Sequence, residues 1–196
     1  MRIVLSDFMS LDGVVQAPGG PDEDRDGGFA HGGWSHPFFD AEAMGPVFGE
    51  AAAQTDALLF GRRTYEGMAA AWPGQAGDPF ADHMNAIPKY VVSSSLTQDD
   101  LTWSNSTLLP ADDVVGALRD LKASPGRDLQ VMGSVSVARL LAEHDLVDEY
   151  QLMLEPILLG GGKRLFPDDG TARSLELVRS TVASTGVIIC AYRVAR

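Results

Sequence analysis

Cysteine is almost missing from this sequence. The single Cys190 leaves no partner for an intrachain disulfide and cannot build a multi-cysteine zinc site. No histidine stands near it in the chain, so it reads as a small core residue rather than a nucleophile. The four histidines, His31, His36, His83 and His144, show no metal-ligand spacing, and no metal site is expected. Basic residues are also scarce, with 15 Lys and Arg against 27 Asp and Glu, a net charge of −12. A body that acidic repels nucleic acid and anionic membrane, which argues against a partner of either kind. No apolar run approaches a membrane span, and the opening Met1-Arg2-Ile3-Val4-Leu5 is strand-like and too short for a signal peptide, so the cytoplasm is the expected address. The glycine-rich dinucleotide fingerprint is absent too. So are internal repeats, low-complexity segments and any linker that would split the chain.

What is present is a 196-residue chain with 45% apolar and 21% charged residues, enough for one sizeable core and one domain over residues 1–196. Residues 2–8 read as a strand, followed by the turn signal Asp12-Gly13. Residues 17–34 are rich in Gly, Asp and Pro. A loop that long in a compact domain carries function or is disordered, and Phe29, Trp34, Phe38 and Phe39 favour a lid that closes over a ligand. The alternative is that these rings pin the loop to the core. Asp40 caps a helix to about residue 54, with a break or kink at Gly45-Pro46. Leu58-Leu59-Phe60 forms a strand closing at Gly61, and Thr64 is placed to cap the following helix, which ends at Trp72-Pro73-Gly74. A short helix over 80–86 precedes a strand from Lys89 that closes in Ser93-Ser94-Ser95. Asp112 is an N-cap for a helix with the stripe Val114, Leu118 and Leu121. A strand over 129–132, a helix over 135–143 and a strand over 147–154 follow. Beyond the basic loop Gly160-Gly161-Gly162-Lys163-Arg164, strands over 175–183 and 187–194 meet at Ser184-Thr185-Gly186 as a hairpin. Strands alternating with helices imply an α/β fold with a mostly parallel central sheet flanked by helices, and the hairpin adds an antiparallel edge.

Three of the strands end in small or phosphate-binding residues: Gly61, Arg62, Arg63 and Thr64; Ser93 and Ser94; Gly133, Ser134, Val135 and Ser136. Ligands of an open α/β sheet bind beyond the carboxyl ends of its parallel strands. Three such ends suggest one long ligand with several phosphates, held on helix N–H groups, with Arg62 and Arg63 on a further phosphate at the far end. That describes NADPH rather than NADH; three ordinary turns are the alternative. Asp12, just after the first strand, is the candidate proton donor, with a plain turn aspartate as its other reading. Trp34, Phe38, Tyr65 and Trp72 are candidates to line a pocket for a flat ring, or to pack in the core.

These residues carry a family resemblance. Ala57-Leu58-Leu59-Phe60-Gly61-Arg62-Arg63-Thr64-Tyr65-Glu66 resembles the Gly-Arg-x-Thr segment of dihydrofolate reductases. Lys89-Tyr90-Val91-Val92-Ser93-Ser94 and Val131-Met132-Gly133-Ser134 are similar to their later cofactor strands. Ser10-Leu11-Asp12-Gly13, and the stretch from Asp148-Glu149-Tyr150 through Leu158-Leu159-Gly160-Gly161-Gly162, look more like the reductase domain of bacterial riboflavin biosynthesis. The resemblance spans nearly the whole chain. It implies a dihydrofolate-reductase-like fold, NADPH as cofactor and commonly a homodimer. Two departures bear on the substrate. The carboxylate that dihydrofolate reductases place in the first helix falls at Gly45 here, with only Glu42 and Glu50 nearby. The riboflavin reductases' Glu before a glycine pair is replaced by Met132 before Gly133-Ser134. The expected function is therefore NADPH-dependent reduction of a small heterocyclic (pteridine- or pyrimidine-like) or conjugated substrate. A non-catalytic binding module and a true folate enzyme or 5-amino-6-(5-phosphoribosylamino)uracil reductase are the alternatives.

Overall fold

Ile3, Val4 and Leu5 make an apolar run that is wholly buried, and it lies in β1 (Arg2–Ser10). Full burial of side chains of this kind contributes roughly 1.5–3 kcal/mol each. The computed structural model describes residues 1–75 and 77–195. Among them the chain continues through α1 (Ala41–Gln54), β2 (Thr55–Gly61), α2 (Arg62–Ala71), α3 (Pro79–Ala86), β3 (Lys89–Val92) and β4 (Ser106–Leu108). It then forms α4 (Val114–Ala123), β5 (Asp128–Met132), α5 (Val135–Glu143), β6 (Glu149–Glu155), β7 (Leu175–Val182) and β8 (Ile188–Val194). The described strands form one eight-stranded sheet in the order β4-β3-β2-β5-β1-β6-β8-β7. Pairing is parallel from β4 to β6 and antiparallel for β8 and β7. The expected α/β class, parallel sheet and antiparallel C-terminal hairpin are all present.

The connections place the site. The chain leaves β1 through α1 toward β2, on one side of β5, and leaves β5 through α5 toward β6, on the other side of β1. The crevice between β1 and β5 is thus a topological switch point. Successive β1 side chains alternate between the two faces. Phe8 goes to the face where Met44, Val47 and Phe48 of α1 pack with Met153. Leu5 and Met9 go to the face where Val137 and Leu141 of α5 pack with Leu152.

Three local expectations are corrected. α1 runs unbroken through Pro46, because the lost bond is to the carbonyl of exposed Glu42 and water reaches it. Thr64 does not cap α2: β2 runs to Gly61, the helix starts at Arg62, and Thr64 already lies inside its first turn. Asp113, not Asp112, caps α4, accepting from Gly116 N at 2.9 Å. The short β4 has no counterpart in the sequence reading; it pairs Ser106, Thr107 and Leu108 with β3.

Candidate functional site

β5 stops at Met132, opposite Ser6, while β1 continues to Ser10 along β6 alone. From Asp7 onward the β5 side of β1 is therefore open, and a cleft of about 1600 Å³ occupies this end of the sheet. Gly61, Arg62, Arg63 and Thr64 line it, as do Ser93 and Ser94, and Gly133, Ser134, Val135 and Ser136. The structure brings all ten expected cofactor residues to one cavity.

The two helices that start there are tied together. Ser134 sits in the left-handed region at φ 63. Its Oγ accepts from Gly61 N at 2.8 Å and donates to Thr64 Oγ1 at 2.7 Å. A Cβ on Gly61 would stand 3.3 Å from both Ser134 Oγ and Val137 Cγ2, closer than a packed side chain allows without a shift, so glycine suits this approach. Neither α2 nor α5 has a side-chain cap, whereas Asp40, Asp78 and Asp113 cap α1, α3 and α4. The first N–H groups of α2 and α5 are left to face the cleft, at the positive ends of two helix dipoles. Ser93 plays a different part: its Oγ accepts from Ser95 N at 3.1 Å and Leu96 N at 3.0 Å, which shapes the turn and leaves exposed Ser94 at its surface.

Four cations line the same cavity in this acidic chain: Arg62, Arg63, Arg139 and Lys163. Arg62 is only loosely held, by Glu66 at 3.5 Å. Arg63 pairs with Asp26 and, at 3.4 Å, with Asp24, and Lys163 takes the same two carboxylates at 2.5 and 2.9 Å. Those aspartates belong to the 17–34 loop, which closes on itself: Gly33 N donates to Ala17 O at 2.9 Å. Gln16 organises it from beneath, giving Nε2 to the carbonyls of Asp24 and Asp26, both at 3.1 Å, and accepting Lys163 N at 3.0 Å.

The aromatic expectations divide. Trp72 lines the cleft and packs on Phe80 with ring centroids 5.4 Å apart. Tyr65 does not line it; its hydroxyl accepts Trp103 N at 2.9 Å inside a core cluster. Trp34 is buried with Nε1 on Gln16 O at 2.7 Å, and Phe38 packs among the residues under α1. Trp34 joins the two ends of the loop and Phe38 anchors the stretch after it, while His36 and Phe39 reach the cavity wall. Asp12 is also outside the cleft. Its carboxylate accepts from Ser10 Oγ at 2.7 Å, Leu159 N at 3.1 Å and Gly160 N at 2.8 Å, and these bonds, Ser10's first, draw its pKa down to about 2. A carboxylate so stabilised is a turn organiser and a poor proton donor.

Two buried acids escaped the sequence reading. Asp7 lines the cleft at 5% exposure, and its Oδ2 is buried with no hydrogen-bond partner. Burial raises its pKa well above the usual range, against a backbone hydrogen bond from Phe8 that lowers it, and Glu23 adds repulsion. Glu155 is fully buried behind the loop; burial raises it to about 7 although Ser35 Oγ donates to its Oε1 at 2.6 Å. The signal for Asp7 was available: an acid in mid-strand between the apolar residues Leu5 and Met9 of its own face. Lys163 was visible as part of a basic loop, but not its approach to Arg63. α1 sends no carboxylate into the cavity: Gly45 lines it, and Glu50 pairs with Arg179 at 2.5 Å. Among the described residues no group of three or more His, Cys, Asp or Glu could hold a metal, and no helix is long and apolar enough to cross a membrane.

Comparison with known proteins adds the following. The model of the RibD C-terminal domain matches residues 2–189. A Bacillus subtilis (strain 168) protein, YyaP, itself uncharacterised, is 26% identical over 97% of this chain and 94% of its own. A putative riboflavin biosynthesis protein from Shewanella sp. PV-4 superposes with a TM-score of 0.76 over the whole of both chains at 22% identity. A pyrimidine reductase-like protein from Corynebacterium diphtheriae gives 0.65 at 16% identity, over 100% of this chain and 92% of that one. A Thermotoga maritima diaminohydroxyphosphoribosylaminopyrimidine deaminase/5-amino-6-(5-phosphoribosylamino)uracil reductase gives 0.63 at 13% identity, with 99% of this chain spanning 56% of that one.

Proposed function

Because the chain belongs to the RibD C-terminal domain family, we propose that it is a reductase that uses NADPH to reduce a small heterocyclic or conjugated substrate. The observation that carries this reading is the cavity at the β1/β5 switch point, where two uncapped helix starts are held side by side by Ser134. The N–H groups of α5 and the Gly133 turn suit a pyrophosphate, and Arg62 and Arg63 beside the α2 start suit a further phosphate. That extra phosphate is what separates NADPH from NADH. When bound, the cofactor would supply the hydride. The chain would supply position and dryness: Phe8 and Phe48 from the α1 side, Met132 and Met153 from the sheet, and Trp72 and Phe80 farther along make the apolar walls. With Gly45 in place of a carboxylate on α1, the reading favours a substrate other than a folate. A homodimer is part of the proposal, and the exposed apolar residues of β7 are its natural seam.

Fluorescence titration with NADPH and NADH, followed by NADPH oxidation across a panel of pterins, pyrimidines and conjugated carbonyl compounds, tests the reading. Saturable NADPH binding with turnover of a panel member is the expected result. Binding with no turnover would turn the assignment to a non-catalytic module, and no binding of either nucleotide would end it.

A further inference from the structure

Among the described residues lining the crevice, Asp7 Oδ2 is the buried side-chain atom that the fold leaves without a hydrogen-bond partner. The strand geometry explains its position. Asp7 follows the last β1 residue paired to β5, so on that side its main chain borders the opening, while its other side pairs with β6. On its own face it stands between Leu5 and Met9 and opposite Leu152, all buried and apolar. The charged groups lining the cleft are Glu23 and Asp24 of the loop, Arg62 and Arg63 of α2, Arg139 of α5, and Lys163. Arg63 and Lys163 are paired to loop aspartates, Arg62 to Glu66, and Arg139 donates to Arg164 O at 2.9 Å. The charge acting on Asp7 is that of Glu23, which is repulsive. A buried carboxylate with no cation and a neighbouring acid keeps its proton. It then offers an O–H donor and a carbonyl acceptor side by side.

The chemical group that matches such a pair is an amide edge, with C=O and N–H side by side in one plane. We propose that Asp7 is the polar anchor of the crevice and pairs with the amide edge of a planar ring. This rests on the reductase reading for the source of the ring: the carboxamide of a nicotinamide, or a lactam of the heterocycle that is reduced. Either would satisfy Oδ2 and fix the ring's rotation in the crevice, where the apolar walls fix only its plane. Asp7 thereby selects for rings that carry this edge.

The test uses Asp7→Asn, which keeps the shape and can still pair with an amide, and Asp7→Leu, which cannot; circular dichroism checks that both fold. The probes are NADPH, its 3-acetylpyridine analogue, which lacks the amide N–H, and lumazine, whose ring is a lactam. Infrared spectra of the ligand-free parent at pH 7 are expected to show a protonated carboxyl band that Asp7→Asn removes. Kd of the parent should weaken as pH rises past the point where Asp7 ionises, and Kd of Asp7→Asn should stay flat. Asp7→Leu should weaken the ring that carries the edge by about 5- to 150-fold. A loss larger for NADPH than for its acetylpyridine analogue assigns the edge to the nicotinamide, and a loss confined to lumazine assigns it to the substrate. Asp7→Leu binding all three probes as the parent does, or a carboxyl spectrum that Asp7→Asn leaves unchanged, overturns the proposal. A parent that binds lumazine but neither nucleotide overturns the reductase reading while the Asp7 comparison is decided on lumazine; a parent that binds no probe overturns both.

Discussion

Glu155 shows what a single buried acid does to this protein. Its folded pKa, about 7, lies above that of an unfolded glutamate, near 4.3. The stability it contributes is therefore fully present below the unfolded pKa and is lost as pH rises through about 7. At 1.36 kcal/mol per unit the loss is on the order of 3 kcal/mol. Glu155→Gln keeps an acceptor for Ser35 and cannot ionise, so its melting temperature should match the parent at pH 4 and exceed it at pH 8.5. Equal melting temperatures at both pH values would disprove the assignment. The arginine pair makes the second expectation at this scale. Losing a hydrogen bond to a charged group costs about 1.5–3 kcal/mol, so Arg62→Ala or Arg63→Ala should weaken NADPH by roughly 10- to 150-fold and spare NADH. Kd measured for both cofactors decides; equal losses for the two would remove the pair from the extra phosphate. Arg62, Arg63, Gly133 and Ser134 were legible because a strand end followed by a helix start constrains where side chains go. Asp7 was not singled out because an acid within a strand-like run does not say whether it faces solvent or a cleft. For Tyr65 and Trp34 the core alternative is the one realised, because an aromatic residue in a sequence does not say which side of its element it faces.

Elements were read where their signals are local. Asp40 begins α1 as an aspartate cap does, and the apolar stripe of α4 is at helical spacing. β4 was missed because three residues, Ser-Thr-Leu, carry no pattern of their own and depend on β3 for pairing. The 17–34 loop was legible as unusual but not as closed. Its closure depends on Gln16 reaching Asp24, Asp26 and Lys163, contacts that only the fold brings together. Gln16→Leu should remove that support. We expect faster hydrogen exchange in the loop of Gln16→Leu than in the parent, and slower exchange in the parent when NADPH and a substrate analogue are bound. Loop protection indifferent to both the substitution and ligand would mean that the loop is a fixed wall and not a lid.

At the scale of the whole molecule, the parallel sheet follows from the alternation of strands and helices, and the hairpin closes it as expected. What the sequence did not reveal is how exposed that hairpin is. Leu177 is 56% exposed, Val178 46% and Val182 70%, on a strand with a free edge. An apolar edge strand is open to pairing with another chain unless something covers it. A second copy of the same chain would do so in the proposed dimer. Light scattering should give twice the 20.9 kDa chain mass for the parent, and Leu177→Lys with Val182→Lys should shift it toward one chain. A parent of one chain mass at micromolar concentration would disprove the dimer.

The pairing of Asp24 and Asp26 with Arg63 and Lys163 means that the protein carries its own competitor. Two carboxylates already occupy cations that a phosphate would use, so any anionic ligand there must win an exchange rather than fill a vacancy. Its apparent affinity is the intrinsic one reduced by the fraction of molecules whose pair is open. Removing a negative charge from this acidic protein would ordinarily be expected to help any anion a little. Asp26→Asn should help far more than the same change at Asp99, an exposed acid that does not line the cleft. Comparing Kd for NADPH in the two variants separates displacement of a resident rival from a general easing of charge.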